Sequence, residues 1–236
     1  MCAHVGILSD PANARTLSRT RNQQPSTSCR CHYFSYLFRL FRTFCVRVCY
    51  HLRPTSLAPL FCSQVSAMLA KACALVLEDY PVVNARYEPG QTVYQKDINV
   101  AMAVAIDGGL ITPTLKNANM MTLLGLSKQW KELVGKAKAK QLKPDEYTGG
   151  TFTITNLGMF GVSDFAAILP SKMGAILAIG GSLPTVVQKA DGSFGTVKEM
   201  TVTITCDHRH IYGADAALFL NGLSELIENN PLQLLV

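Results

Sequence analysis

Residues 199–213 read EMTVTITCDHRHIYG. The first eight alternate Met200, Val202 and Ile204 with Thr201, Thr203 and Thr205, the period-two pattern of a strand. The strand runs directly into Asp207, His208 and Arg209 and then a glycine, Gly213. Ionisable groups therefore stand at the rim of a sheet, where binding and catalytic residues concentrate. Just upstream, GAILAIGG (174–181) is a central strand by its small and branched residues, LPTVVQ (183–188) continues the sheet, and Asp191-Gly192 turns the chain back. Downstream, ADAALFLNGLSELIEN (214–229) has the spacing of an amphipathic helix.

Further out, GGTFTITNLGMFG (149–161) is a glycine-bounded strand that sets Thr151, Thr153 and Thr155 on one face and Phe152 and Ile154 on the other. A turn at Asn156-Leu157-Gly158 follows it. VSAMLAKACALVLEDYP (65–81) reads as a helix stopped by Pro81, and TLLGLSKQWKELVGKAKAKQ (122–141) as a second, ended by Pro144. Between them, residues 84–92 are turn-rich, and 98–115 reads as one hairpin around Asp107-Gly108-Gly109. The order of elements predicts an α+β fold, a mixed β-sheet layered with helices.

The chain has 236 residues, 48% of them hydrophobic and 16% charged, which favours a sizeable core over disorder. Its net charge of +6 is unevenly spread. Residues 1–64 hold eight arginines, no lysine and one acid, Asp10, so they carry +7 and leave −1 for residues 65–236. The basic character sits outside the body, and no nucleic-acid partner is expected. Six of the eight cysteines also precede residue 64, which leaves the body with Cys73 and Cys206, a reduced domain. Residues 1–64 thus divide from 65–236 as an Arg/Cys-rich segment, disordered, read as a transit peptide or non-native sequence. A basic RNA-binding arm and a membrane-surface helix are the other readings of it. Arg39, Arg42 and Arg47 interrupt the apolar run 33–52, so no transmembrane segment is expected.

Taken singly, the rim cluster reads equally as a charged turn with a capping aspartate, and the strand at 149–161 as a half-exposed strand. His208 and His210 have no third metal ligand close by in sequence, so no metal is expected. The chain lacks the Gly-Lys-Ser/Thr of a phosphate loop after its glycines and the Gly-x-Ser-x-Gly of a nucleophile elbow.

Together, however, DHRHIYGAD (207–215) and GGTFTITNLGMFG resemble the two signatures of the dihydrolipoyl acyltransferases, the catalytic core subunits of 2-oxo acid dehydrogenase complexes. YPVVNARY, INVAMAVAIDGGLITP, WKELVGKAKAKQL and AILAIG extend the resemblance over residues 65–236. The run YGAD, with Tyr212, is most similar to the plastid pyruvate dehydrogenase branch, which implies the chloroplast stroma, with the mitochondrial matrix as the alternative.

The resemblance implies a fold like that of chloramphenicol acetyltransferase and transfer of an acetyl group between dihydrolipoamide and coenzyme A. His208 would be the general base and Thr155 the hydroxyl that faces the reacting carbonyl. Asp207, Arg209, Tyr212, Gly213 and Asn156 would support the site. It further implies a homotrimer with the histidine and the hydroxyl supplied by neighbouring chains, and a lipoyl group supplied by another domain or chain of the complex. The apolar tail PLQLLV (231–236) would dock, joining trimers into a larger core or packing on its own subunit.

Three features depart from the family pattern. Thr155 stands where serine is common, Tyr212 stands where many members have aspartate, and residues 1–64 do not resemble the family's first strand and helix, so the catalytic domain is N-terminally incomplete. Two alternatives follow from these departures: a non-catalytic truncated core subunit, or a CoA-dependent acetyltransferase acting on a small acceptor.

Overall fold

The computed structural model describes residues 41–50, 65–188 and 192–235. Six strands form one mixed sheet in the order β1-β10-β9-β8-β4-β7. These are β1 (Phe41–Tyr50), β4 (Val100–Met102), β7 (Thr114–Leu115), β8 (Phe152–Asn156), β9 (Ala175–Gln188) and β10 (Phe194–Asp207). β8 runs parallel to β4 and β9, and the remaining pairs are antiparallel. The helices are α1 (Val65–Asp79), α2 (Leu123–Lys138), α3 (Pro144–Tyr147) and α4 (Gly213–Glu228). This is the layered α+β architecture the sequence predicts.

Strand alternation sorts the two faces of the sheet. Phe152, Ile154, Leu177, Ile179, Val202, Ile204 and Cys206 are all buried and pack with α1 and α4 in one core, where Phe152 meets Phe219 of α4 at 5.7 Å between ring centroids. The other face carries the threonines of β8 and β10. Thr153 is 1% exposed and donates to Met173 Sδ at 2.7 Å, while Thr151 accepts from the Asn99 N–H at 3.0 Å. The segment after β8 lies hard against β9: a Cβ at Gly180 would stand 1.8 Å from the Ser163 carbonyl oxygen, so only glycine permits this approach. Opposite it, β10 bulges between Met200 and Val202.

Lys71, on the buried face of α1, is 2% exposed and its ammonium donates at 2.8 Å to the carbonyls of Asn119 and Met121. Burial lowers its pKa and nearby Glu78 opposes the shift. The lysine thereby ties α1 to the segment that enters α2, whose N-cap is Thr122.

Several expectations need correction. The hairpin at 98–115 is broken into two ladders: β4 and β7 pair in the main sheet, while β5 (Val104–Ile106) and β6 (Gly109–Ile111) pair separately. At the break the Ala103 N–H leaves the hairpin and donates to the Ile154 carbonyl, and Pro113, opposite, has no N–H to carry the ladder on. The turn-rich stretch 84–92 contains a hairpin of β2 (Ala85–Glu88) and β3 (Gln91–Tyr94). α2 ends at Lys138, before Pro144, and Pro144 opens α3 instead, its fixed φ suiting the first helical position. LPTVVQ does continue the sheet as expected, as the second half of β9.

Disorder through residue 64 does not hold for Phe41–Tyr50, a strand paired along β10 from Phe41↔Asp207 to Tyr50↔Lys198. Its sequence, FRTFCVRVCY, is aromatic and β-branched, which favours a strand. The transit-peptide reading and the cysteines at 2, 29, 31 and 62 fall on residues outside those described. Among the described residues no helix is long and apolar enough to cross a membrane.

In the tail Pro231–Leu235 forms a 3-10 turn, and Leu234 is buried in the subunit's own core while Leu232 is 64% exposed. Of the two dockings considered for the tail, Leu234 thus takes packing on its own subunit. Leu234→Ala is expected to cost about 2–5 kcal/mol of stability, and Leu232→Ala less than about 0.5 kcal/mol. Urea unfolding of both variants beside the parent chain measures the contrast.

Candidate active site

β10 leaves the sheet at Asp207, and the N–H groups of His210 and Ile211 close the turn onto the Asp207 carbonyl at 3.3 and 3.1 Å. The Asp207 side chain is almost wholly buried. Its Oδ1 accepts from the Arg209 backbone N–H at 3.1 Å and from Arg209 Nε at 2.8 Å, and its Oδ2 accepts from Nη2. Burial alone would raise the carboxyl pKa; the hydrogen bonds from Arg209 outweigh it and hold the group below the usual carboxylate range. The same contact raises the pKa of the guanidinium, which also lies 4.1 Å from the centroid of the Tyr87 ring.

Between these paired residues stands His208. The side chain is half-buried, and its Nε2 is shut off from water with no hydrogen-bond partner among the described residues. The Tyr212 ring meets the imidazole edge-on at 5.6 Å, with 83° between the planes. Tyr212 is the N-cap of α4 and its N–H donates to the Asp215 carboxylate at 3.0 Å, so the position of this ring is set by the start of the helix. Gly213 is the first residue of that helix. An imidazole nitrogen withdrawn from solvent and left unpaired is the group here able to take a proton from an incoming ligand.

Thr155, half-buried, lies on the threonine face near the end of β8 and pairs with Ala178 of β9. The turn behind it is fixed by Asn156, whose Oδ1 accepts from the Gly158 N–H at 2.9 Å. Ala178 also pairs with Thr203 of β10, five residues before His208. At about 3.3 Å per residue and about 4.8 Å per strand, Thr155 and His208 are on the order of 15–20 Å apart within one chain. The two candidate groups do not meet in a single subunit.

Other reactive side chains nearby are accounted for. Cys206 adjoins Asp207 but points into the helix-packed core, where burial pushes its thiol pKa far up and leaves it inert. A cavity of about 280 Å³ lined by Thr114, Lys116, Gln129, Lys136 and Glu146 lies at the opposite edge of the sheet from His208.

A family model described as 2-oxoacid dehydrogenases acyltransferase (catalytic domain) matches residues 56–236. The chain belongs to this acyltransferase family. An Arabidopsis thaliana relative, dihydrolipoyllysine-residue acetyltransferase component 5 of the chloroplastic pyruvate dehydrogenase complex, is 57% identical over 166 residues, which are 70% of this chain and 36% of the relative. The chain thus spans about a third of the length of the curated relatives it matches. The dihydrolipoamide acetyltransferase of Azotobacter vinelandii superposes with a TM-score of 0.74 at 27% identity, covering 83% of this chain and 84% of that one. Chloramphenicol acetyltransferase shares the fold, with a TM-score of 0.54 at 15% identity over 80% of this chain and 88% of that one.

The sequence singles out Asp207, His208, Arg209 and Tyr212 as neighbours in one run, but it misses Tyr87. That residue's signal is weak: two four-residue strands about Pro89-Gly90, some 120 positions before the turn they support.

Asp207→Asn keeps the shape and removes the charge, and at pH 7 it is expected to lower stability by about 1–3 kcal/mol. An unfolded aspartate titrates near about 3.9, and the native group titrates lower. The advantage of the parent chain is therefore present above about pH 4 and fades as the pH falls through the native value. Urea titrations at pH 7 and at successively acid pH check this; a gap that persists in acid would discount the ion pair as its source.

Proposed function

We propose that this acyltransferase moves an acetyl group between dihydrolipoamide and coenzyme A, as the catalytic domain of a plastid pyruvate dehydrogenase complex component. The observation that carries the reading is His208 itself: a half-buried imidazole with an unpaired, water-excluded Nε2, held on a turn whose own charges neutralise each other. The chloroplastic relatives support the plastid and the acetyl group. The Azotobacter enzyme was studied for the role of a serine, a histidine and an asparagine in its catalytic mechanism, which supports a histidine base. There the asparagine follows the histidine by four positions, as Tyr212 follows His208.

In the reaction, neutral His208 accepts the proton of the CoA thiol through Nε2. A free thiol has a pKa of about 8.5 and is mostly protonated at neutral pH, so this step supplies the nucleophile. The thiolate adds to the carbonyl of S-acetyl-dihydrolipoamide. The Thr155 hydroxyl donates to the oxygen as it becomes an anion, the carbon–sulfur bond to the lipoyl group breaks, and the imidazolium returns its proton to the departing thiolate. One thioester replaces another, so atoms and charge balance without a further reactant. CoA and the lipoyl group are both substrates, the latter carried by another domain or chain.

Because Thr155 and His208 lie far apart in one chain, the active unit is an assembly in which a neighbour's hydroxyl faces each histidine, a homotrimer in our reading. Met159, Phe160 and Ile168, at 86%, 67% and 92% exposure, are apolar side chains left uncovered in the segment that follows Thr155, which suits such a contact. Asp207, Arg209, Tyr212 and Gly213 hold the histidine's turn, and Asn156 holds the turn behind the threonine.

With acetyl-CoA and dihydrolipoamide as substrates, His208→Ala is expected to lose about 10²–10⁴-fold in kcat. Thr155→Val should lose about 10²–10³-fold, while Thr155→Ser keeps the donor and stays within about tenfold. Equal rates for the parent chain and His208→Ala would end this reading, and transfer to a hydroxyl acceptor in place of dihydrolipoamide would redirect it.

A further inference from the structure

Two residues beyond His208, the His210 side chain is 7% exposed and takes no part in the chemistry above. Its Nε2 lies 3.1 Å from the Ala85 carbonyl oxygen of β2. A carbonyl only accepts, so Nε2 carries the hydrogen, and Nδ1 is buried without a partner among the described residues. The imidazole also stacks on Tyr87 of the same strand, at 6.4 Å between centroids and 24° between planes. The Tyr87 ring is the one that the Arg209 guanidinium covers at 4.1 Å. Consecutive residues of the turn are therefore fastened to one short strand, Arg209 through a ring face and His210 through a ring face and a hydrogen bond.

Space for this fastening is reserved at Gly174. A Cβ there would stand 2.0 Å from the Ala85 oxygen and 3.1 Å from His210 Nε2, and the Gly174 carbonyl accepts from the Asp207 N–H at 2.9 Å. The backbone of His208 is thus pinned on both sides, by Asp207 to Gly174 and to Arg209, and by His210 to β2. Its side chain alone is left to face Tyr212 and the ligand. A buried imidazole with an idle nitrogen is a poor choice for core packing, where an aliphatic side chain would fill the space without an unpaired polar atom.

We propose that His210 is a positioning residue for the transfer reaction: by donating to Ala85 and stacking on Tyr87, it holds His208 at the angle from which Nε2 reaches the thiol. The inference rests on His208 being the base. A displacement of about 1 Å in a catalytic group can cost about 10²-fold in rate, so the effect falls on kcat and spares substrate affinity.

The test is steady-state kinetics with acetyl-CoA and dihydrolipoamide on the assembled protein. His210→Leu, which fills the space but cannot donate, is expected to lower kcat by about 10–100-fold with KM for CoA within about threefold of the parent. His210→Gln, whose amide nitrogen reaches toward the Ala85 oxygen, should restore kcat to within about fivefold. Tyr87→Leu, at a half-buried site, should reproduce the kcat loss and keeps the proposal open to refutation if His210→Leu fails to fold.

On a His208→Ala background, His210→Leu should cause no further loss, because a residue acting only through the base has nothing left to position. Unchanged kcat in His210→Leu or Tyr87→Leu would overturn the proposal while a crippled His208→Ala left the base intact. An equal loss on the His208→Ala background would overturn it as well. Full activity of His208→Ala would remove the base itself and this role with it.

Discussion

A carboxylate at the buried end of a central strand has to be matched by charge and hydrogen bonds, because an unpaired one costs several kcal/mol. Asp207 meets that demand from its own chain, two residues on. To bring the Arg209 fork onto the carboxylate the backbone must fold back at once, and the residue between them is forced outward. That residue is His208. The ion pair is half in water on the arginine side, while its carboxylate is buried, so its share in stability is the modest one expected at Asp207→Asn. What it contributes is direction: it ends β10 at a fixed place, starts the approach to α4 and turns one imidazole toward the rim.

The sheet behind this turn is arranged to keep it still. One face is closed by α1 and α4 in the common core, and the other by threonines and close backbone contacts. Gly180, with the Ser163 carbonyl where a side chain would be, draws the segment after Thr155 tightly onto β9. Lys71 spends its charge on two carbonyls to secure the entry to α2. Polar atoms in these layers therefore serve as fasteners; of those left idle among the described residues, His208 Nε2 and His210 Nδ1 lie at the turn where the chemistry is proposed, and Gln129 Oε1 lies at the far edge of the sheet.

What could be read from the sequence depended on the length of the signal. α2 and α4 each span four turns or more with apolar residues at helical spacing, and α1 shows in its alanines and leucines; β8 and β10 alternate in sequence, and β9 shows in its small and branched residues. β2 and β3 have four residues each, too few for a period to emerge, and β1 shares no obvious pattern with the segment around it. Pro144 misled because proline both closes one helix and opens the next. At the site, Asp207 through Tyr212 were legible because a strand delivers them consecutively. Tyr87 and the bond from His210 to Ala85 were not, since nothing local in residues 85–88 announces the turn that folds against them.

The spacing between Thr155 and His208 also changes what the word active site means for this molecule. If each hydroxyl serves a histidine on another chain, every subunit owns two half-sites and no whole one. Damage then does not stay with the copy that carries it. A chain altered at 155 silences its neighbour's base, one altered at 208 wastes its neighbour's threonine, and one altered at both spoils two sites in the ring. Heredity would then write the pair into a single polypeptide, and selection would judge it only across a seam.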